Sequence, residues 1–231
     1  MLEKELQFEK TLFFQLNGSE SAFLDNFFYL YSYMWTWALF YLCFIFIFCY
    51  KQKSKEIVCI LLAISLLVLL CDQISSGFFK PFFHRFRPTH HPDFEHLVKT
   101  VLDYRGGLYG FISGHATNSF GFAVFTLFLF RNRLYTVIIL LFAMLNAYSR
   151  IYLGVHFISD VVAGALVGSL TGYSVYRLYQ FVRCKWLEVE RNGAIPLFSQ
   201  RASNFLCGVF GGYLTVLLLF NNQLVKFFFQ A

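Results

Sequence analysis

Charge is scarce in this chain. Asp, Glu, Lys and Arg make up 14% of its 231 residues, whereas 58% are hydrophobic and 21% aromatic, with 32 Phe. A soluble domain of this length carries more charge, so a soluble enzyme fits the composition poorly. A basic face on a soluble fold, the mark of a nucleic-acid binder, is also missing. The net charge of +6 crowds instead into short loops between apolar runs, as membrane topology requires. Cys43, Cys49, Cys59, Cys71, Cys184 and Cys207 lie almost all in or beside apolar runs, and no C-x-x-C occurs. They read as small hydrophobes, not as a disulfide framework. The opening MLEKELQFEK lacks a basic region followed by an apolar one. No cleavable signal peptide is expected, and the first apolar span must act as its own insertion signal. No internal repeat or low-complexity segment stands out.

What the chain has is apolar runs long enough to cross a bilayer, about 20 residues each. Six are expected, at about 22–50, 57–79, 110–130, 134–149, 157–179 and 204–224. The fold class that follows is all-α: one integral membrane domain over 1–231, a bundle of about six transmembrane helices. Ahead of it, Leu2, Leu6, Leu12, Phe13 and Leu16 alternate with Glu3, Glu5, Glu9 and Lys10, a pattern expected of an interfacial amphipathic helix that Asn17-Gly18 ends. Lys51, Lys53 and Lys55, Arg131 and Arg133, and the polar loop over 183–201 are placed in the cytoplasm by the positive-inside rule. Both termini then fall outside.

Three polar clusters interrupt the apolar sequence: Lys80-x6-Arg87-Pro88, Ser113-Gly114-His115, and Ser149-Arg150-x5-His156-x3-Asp160. Each sits where an apolar run meets a loop, and the topology above puts all three on the outer face. Arg offers a planar fork that matches phosphate oxygens, and Lys a point charge. Pro81 disfavours helical geometry at Lys80, so the second span is expected to end there. Ser113-Gly114-His115 opens the third span, where free backbone N–H groups bind anions and Gly114 allows close approach. His156 and Asp160 are spaced i, i+4 and share a helical face. A carboxylate there can fix the imidazole tautomer and leave the other nitrogen to attack. Each cluster also has a plain alternative: a basic membrane anchor, an ordinary helix cap, and an interfacial His–Asp pair.

Together, in this order, the clusters resemble the three motifs of the type-2 phosphatidic acid phosphatase superfamily, which also includes the vanadium haloperoxidases: K-x6-RP, PSGH and SR-x5-H-x3-D. The match is complete except for Ile112 in place of the motif proline, and it covers about 80–160. The resemblance implies a metal-independent hydrolase with no cofactor. His156 would be the nucleophile, forming a phosphohistidine, and Asp160 would orient it. His115 would protonate the leaving oxygen. Lys80, Arg87, Arg150, Ser113 and Gly114 would hold the phosphate.

The expected function is therefore a membrane lipid phosphatase working at the periplasmic face of a bacterial inner membrane. Its partners would be a lipid phosphate substrate and the bilayer, with no nucleic acid. Lipid A phosphate and undecaprenyl diphosphate are the expected substrates, and phosphatidylglycerol phosphate is the third. The rivals are a non-enzymatic phospholipid-binding or transport protein and a vanadate-dependent oxidoreductase. His90, His91, Asp93, Glu95 and His96 fit no strong metal signature and are read as a loop that meets an anionic head group, with a solvated loop as the plain alternative. Asp72, Asn118 and Asn146 are expected to bond between helices, and Gly164, Gly168 and Gly172 to pack the bundle.

Overall fold

The computed structural model describes residues 2–186 and 197–229, with side chains from residue 7 onward. The expected 183–201 loop therefore lies partly outside the described residues. Regular structure among those residues is helical, apart from a single isolated β-bridge between Phe86 and Tyr109, and most of the 84–113 segment is irregular.

Helix α1 (Leu2–Leu16) ends where expected. Asn17 donates to the carbonyls of Lys99 and Tyr152, both at 3.0 Å, and Gly18 takes a positive φ of 67°. The first expected span is broken. α2 (Ala22–Ser32) and α3 (Ala38–Cys49) are joined by a 3₁₀ turn, and the two parts bend by 71°. The buried Trp37 explains the break, because its indole donates to the Tyr31 carbonyl at 2.8 Å. A side chain inserted into the backbone ladder is a common cause of a sharp kink.

α4 (Ser54–Asp72) does not end at Lys80 as expected. It runs on through a π-helical segment, Gln73–Phe79, into α5 (Lys80–Phe83). In the wide turn the Lys80 N–H reaches back five residues to Ser75. The loosened ladder accommodates Pro81, so Lys80 keeps helical angles (φ −65°, ψ −45°). The chain finally turns at His84, with φ 47°.

α6 (Gly114–Phe130) is the central helix, packed against α8 (Ile158–Trp186), α7 (Arg133–Tyr152) and α4; α9 (Gln200–Phe229) packs against α2, α7 and α3. Among the described residues four helical stretches are long and apolar enough to cross a membrane, and the bent pair makes a fifth. The remaining expected span, the third at 110–130, corresponds to α6, whose 17 residues reach ~25 Å at ~1.5 Å per residue. The glycine row packs α8 on α6: a Cβ on Gly164 would lie 2.7 Å from the Ser113 carbonyl, and Cβ atoms on Gly168 and Gly172 would collide with the Thr117 and Gly121 carbonyls. Small residues let membrane helices approach this closely. Outward faces carry exposed Leu42, Phe46, Leu62, Leu166 and Leu219, as lipid contact requires. None of the interhelical side-chain bonds expected of Asp72, Asn118 and Asn146 forms among the described residues: Asp72 is exposed, and the buried Asn118 side-chain oxygen has no partner.

The two ends of the bundle differ. One gathers α1, the C-terminal end of α2, the 84–113 segment, the start of α6 and the α7–α8 turn. Phe229 lies against Tyr29 and Tyr33 at the same end. At the other end Arg183 pairs with Glu56 at 2.9 Å, and Arg131 donates to Tyr176 at 3.0 Å.

Candidate active site

The three clusters, spread over 80–160 in sequence, converge at the first end. Local bonds explain how. After His84 the chain runs antiparallel to 108–110, with Arg87 N–H bonded to Leu108 O at 3.0 Å and Gly110 N–H to Arg85 O at 2.8 Å. Arg87 is thereby buried, and its Nε donates to the Tyr109 carbonyl at 3.1 Å. Burial first, then the nearby Arg150 cation, pulls its guanidinium down to about 10, so it stays charged at neutral pH.

Lys80 projects from the π-helical turn and donates to Ser76 Oγ at 3.1 Å. A Cβ placed on Gly114 would lie 3.9 Å from Lys80 Nζ and 3.3 Å from Ser75 Oγ. The ammonium thus stands beside the N-terminus of α6. Ser113 is the N-cap of that helix, and its hydroxyl accepts from Ala116 N–H at 3.5 Å. Its own N–H donates to the Asp160 carbonyl at 3.0 Å, so Ile112, fully buried, still leaves Ser113 in capping position.

Arg150 ends α7 almost fully buried. Its guanidinium donates to Ser32 Oγ and, at 2.8 Å, to the Tyr104 hydroxyl, while Nε has no partner among the described residues. A buried donor left open costs about 1–3 kcal/mol unless something fills it, which suits a site awaiting an anion. Burial alone would push the Tyr104 phenol up, but the Arg150 charge and hydrogen bond, with Arg87, bring it below the ordinary tyrosine value.

His156 lies in the α7–α8 turn, 1% exposed, and Asp160, 0% exposed, lies one helical turn on. His156 Nδ1 is 3.3 Å from Asp160 Oδ2, which also accepts from Phe157 N–H at 3.0 Å. Burial, with the Arg87, Arg150 and Lys80 cations, holds the imidazole well below the usual histidine range, despite an opposing hydrogen bond with Gly110. The ring is therefore neutral at physiological pH, the form in which a nitrogen lone pair is free. His115, one residue into α6, shares the field of Arg150, His156 and Arg87.

All eight residues singled out from the sequence thus face one site. Others had no motif to announce them. Ser32, Tyr104, Ser75 and Ser76 position the cations. A Cβ on Gly110 would stand 3.0 Å from Asp160 Oδ2 and 3.5 Å from His156 Nδ1. A side chain there would crowd the His156–Asp160 pair. Arg85 pairs with Asp160 Oδ1 at 2.7 Å and with Glu9 Oε2 at 2.7 Å. The His90–His96 segment lies farther out: His91 stacks on Phe94, with centroids 4.0 Å apart. Among the described residues no three His, Cys, Asp or Glu side chains converge as metal ligands do.

Residues 57–184, more than half of the chain, match the PAP2 superfamily. A lipid A 4'-phosphatase of Porphyromonas gingivalis is 52% identical over 186 residues, which cover 80% of this chain and 79% of that protein. A lipid A 4'-phosphatase of Bacteroides thetaiotaomicron is 42% identical over 120 residues, covering 52% and 53%. The crystal structure of Aquifex aeolicus LpxE is similar with a TM-score of 0.54 and 31% identity, covering 72% of this chain and 93% of that one. The transmembrane PAP2-type phosphatidylglycerolphosphate phosphatase from Bacillus subtilis shares the fold, with a TM-score of 0.56 at 20% identity over 78% and 88%. The chain belongs to the PAP2 superfamily and is a multi-pass membrane phosphatase of that family.

Proposed function

We propose that this protein removes the 4'-phosphate of lipid A, or of a lipid A precursor, at the periplasmic face of the inner membrane. The observation that carries the chemistry is the buried His156–Asp160 pair at 3.3 Å, set among Lys80, Arg87 and Arg150. The choice of lipid rests on the 52% identical relative. The sidedness rests on the basic turns at Lys51–Lys55 and Arg131–Arg133, which lie at the end away from the site.

In this reading the phosphoryl group enters beside the α6 N-terminus. Lys80, Arg87 and the open Nε of Arg150 bind its oxygens, with Gly114 N–H and Ser113. Asp160 holds the Nδ1 side of His156, so Nε2 attacks phosphorus in line with the P–O bond to the sugar. The P–O bond breaks as the N–P bond forms, and His115 gives a proton to the departing sugar oxygen. Water then attacks the phosphohistidine, losing a proton to His115 and releasing inorganic phosphate. Charge on the equatorial oxygens is what such a reaction must stabilise, and fixed cations in a low-dielectric site do so. No divalent ion or cofactor is required.

The test is phosphate release by purified protein in detergent with EDTA, beside His156→Ala. Lipid A bisphosphate, undecaprenyl diphosphate, phosphatidylglycerol phosphate and phosphatidic acid are offered in parallel. Release from the 4' position by wild type only is expected. Preference for another lipid would overturn the substrate. Full loss with EDTA, restored by a divalent ion, would overturn the metal-free mechanism. No release from any lipid by folded protein would favour a binding or transport role.

A further inference from the structure

Asp160 is fully buried, and a buried carboxylate needs a partner for each oxygen. Oδ2 faces His156 Nδ1 and Phe157 N–H. Oδ1 accepts from Arg85 Nη1 at 2.7 Å. Arg85 is two residues before Arg87, inside the unspecified stretch of the first motif, yet its guanidinium is committed elsewhere. Nη1 also donates to Ser159 Oγ at 2.6 Å and Nη2 to Glu9 Oε2 at 2.7 Å, while the group lies 4.4 Å over the Phe157 ring. Glu9 comes from α1, 151 residues before Asp160. Its other oxygen accepts the Ser159 N–H at 2.8 Å, so it also caps the first turn of α8. Phe13, fully buried, seats α1 against Phe157 with centroids 5.5 Å apart.

From this geometry we propose that Arg85 and Glu9 are positioning residues, a charge chain by which α1 holds Asp160 and so aims the His156 imidazole. The inference rests on the roles given above to His156 and Asp160. Arg85 fixes the carboxylate plane from the side away from the imidazole, and Glu9 fixes Arg85. Neither touches the phosphate. The outer end of the chain lines a cavity of about 530 Å³ with Lys10, His84, His91 and Phe94, so it opens towards the head-group region rather than into the core. An N-terminal helix that reads as a membrane anchor thereby completes the reaction centre.

The test compares kcat and KM for Arg85→Gln, Arg85→Lys, Glu9→Gln, Asp160→Asn and the double variant Arg85→Gln/Asp160→Asn. His156→Ala serves as the reference for the reaction itself. For Arg85→Gln, kcat should fall about tenfold or more with KM changed less than about threefold, as for groups that orient a catalytic ligand. Arg85→Lys should recover part of the loss, and Glu9→Gln should show a smaller fall of the same kind. Adding Arg85→Gln to Asp160→Asn should cost nothing further, because the effect runs through that carboxylate. A kcat within about twofold of wild type for Arg85→Gln, with His156→Ala inactive, would overturn the chain and leave the proposed reaction standing; losses that multiply with Asp160→Asn would do the same. Activity retained in His156→Ala would instead overturn the reaction on which the chain rests. If Arg85→Gln does not fold, Arg85→Lys and Glu9→Gln carry the same comparison.

Discussion

At the scale of single residues, the site depends on keeping one imidazole neutral while three cations stand around it. Burial is the main cause, and Arg87, Arg150 and Lys80 add to it. The sign of the pH dependence follows. Between pH 6.5 and the lower value in the fold, an unfolded chain takes up a proton at His156 that the folded one refuses. Stability therefore falls as pH falls through that window, while the neutral ring keeps the lone pair that the proposed attack needs. Histidine-labelled protein titrated by NMR should show one imidazole, absent in His156→Ala, that remains neutral well below pH 6.5. A resonance titrating at or above 6.5 would contradict the buried, cation-ringed setting. Arg150 is the residue whose open Nε most directly invites an anion, and Lys in its place would lose both the fork and the Ser32 and Tyr104 bonds.

At the scale of helices, the decisive contact is α8 on α6. The glycine row leaves no room for side chains, because what each Cβ would meet is the backbone of the other helix. Backbone cannot swing aside as a side chain can. Gly168→Ala should therefore push the helices apart and destabilise the protein by about 1–3 kcal/mol or more. Gly208→Ala on α9, where a Cβ meets nothing within 4 Å, is the control. Thermal unfolding in detergent should separate the two variants clearly, and equal midpoints would refute the close approach. The same contact positions the site, since Ser113 at the start of α6 is bonded to Asp160 in the first turn of α8. The π-helical turn at 73–79 has a comparable effect on α4. It lets the helix pass Pro81 and carries Lys80 to the mouth of α6.

At the scale of the whole molecule, α8 spans the bundle. Its 29 residues reach ~43 Å at ~1.5 Å each, and they carry Asp160 at the site near one end and Arg183 at the Glu56 pair near the other. The two ends should face opposite compartments. In spheroplasts of a bacterial host, His96→Cys, in the exposed loop near the site, should react with a membrane-impermeant maleimide. Cys49, exposed at the other end, should react only after lysis. The reverse pattern would invert the proposed topology. The site lies at one end of a bundle whose outward faces are apolar, a placement that suits the proposed substrate, whose tail would stay in the bilayer.

The sequence by itself determined the helical membrane class, the family and the three motifs that the fold brings to one end of the bundle. Those are properties of composition, run length and short spacing: bilayer thickness demands long apolar runs, and one helical turn pairs His156 with Asp160. It did not reveal the break at Trp37, because an indole inserting into a carbonyl ladder depends on what surrounds it. Nor did it reveal that Lys80 stays helical, since Pro81 argues locally for an end and only the wide turn relieves it. Glu9, Arg85, Ser32 and Tyr104 were legible as residues but not as parts of the site. Their partners lie 46 to 150 residues away. Only tertiary packing decides which buried charge is satisfied by which distant group.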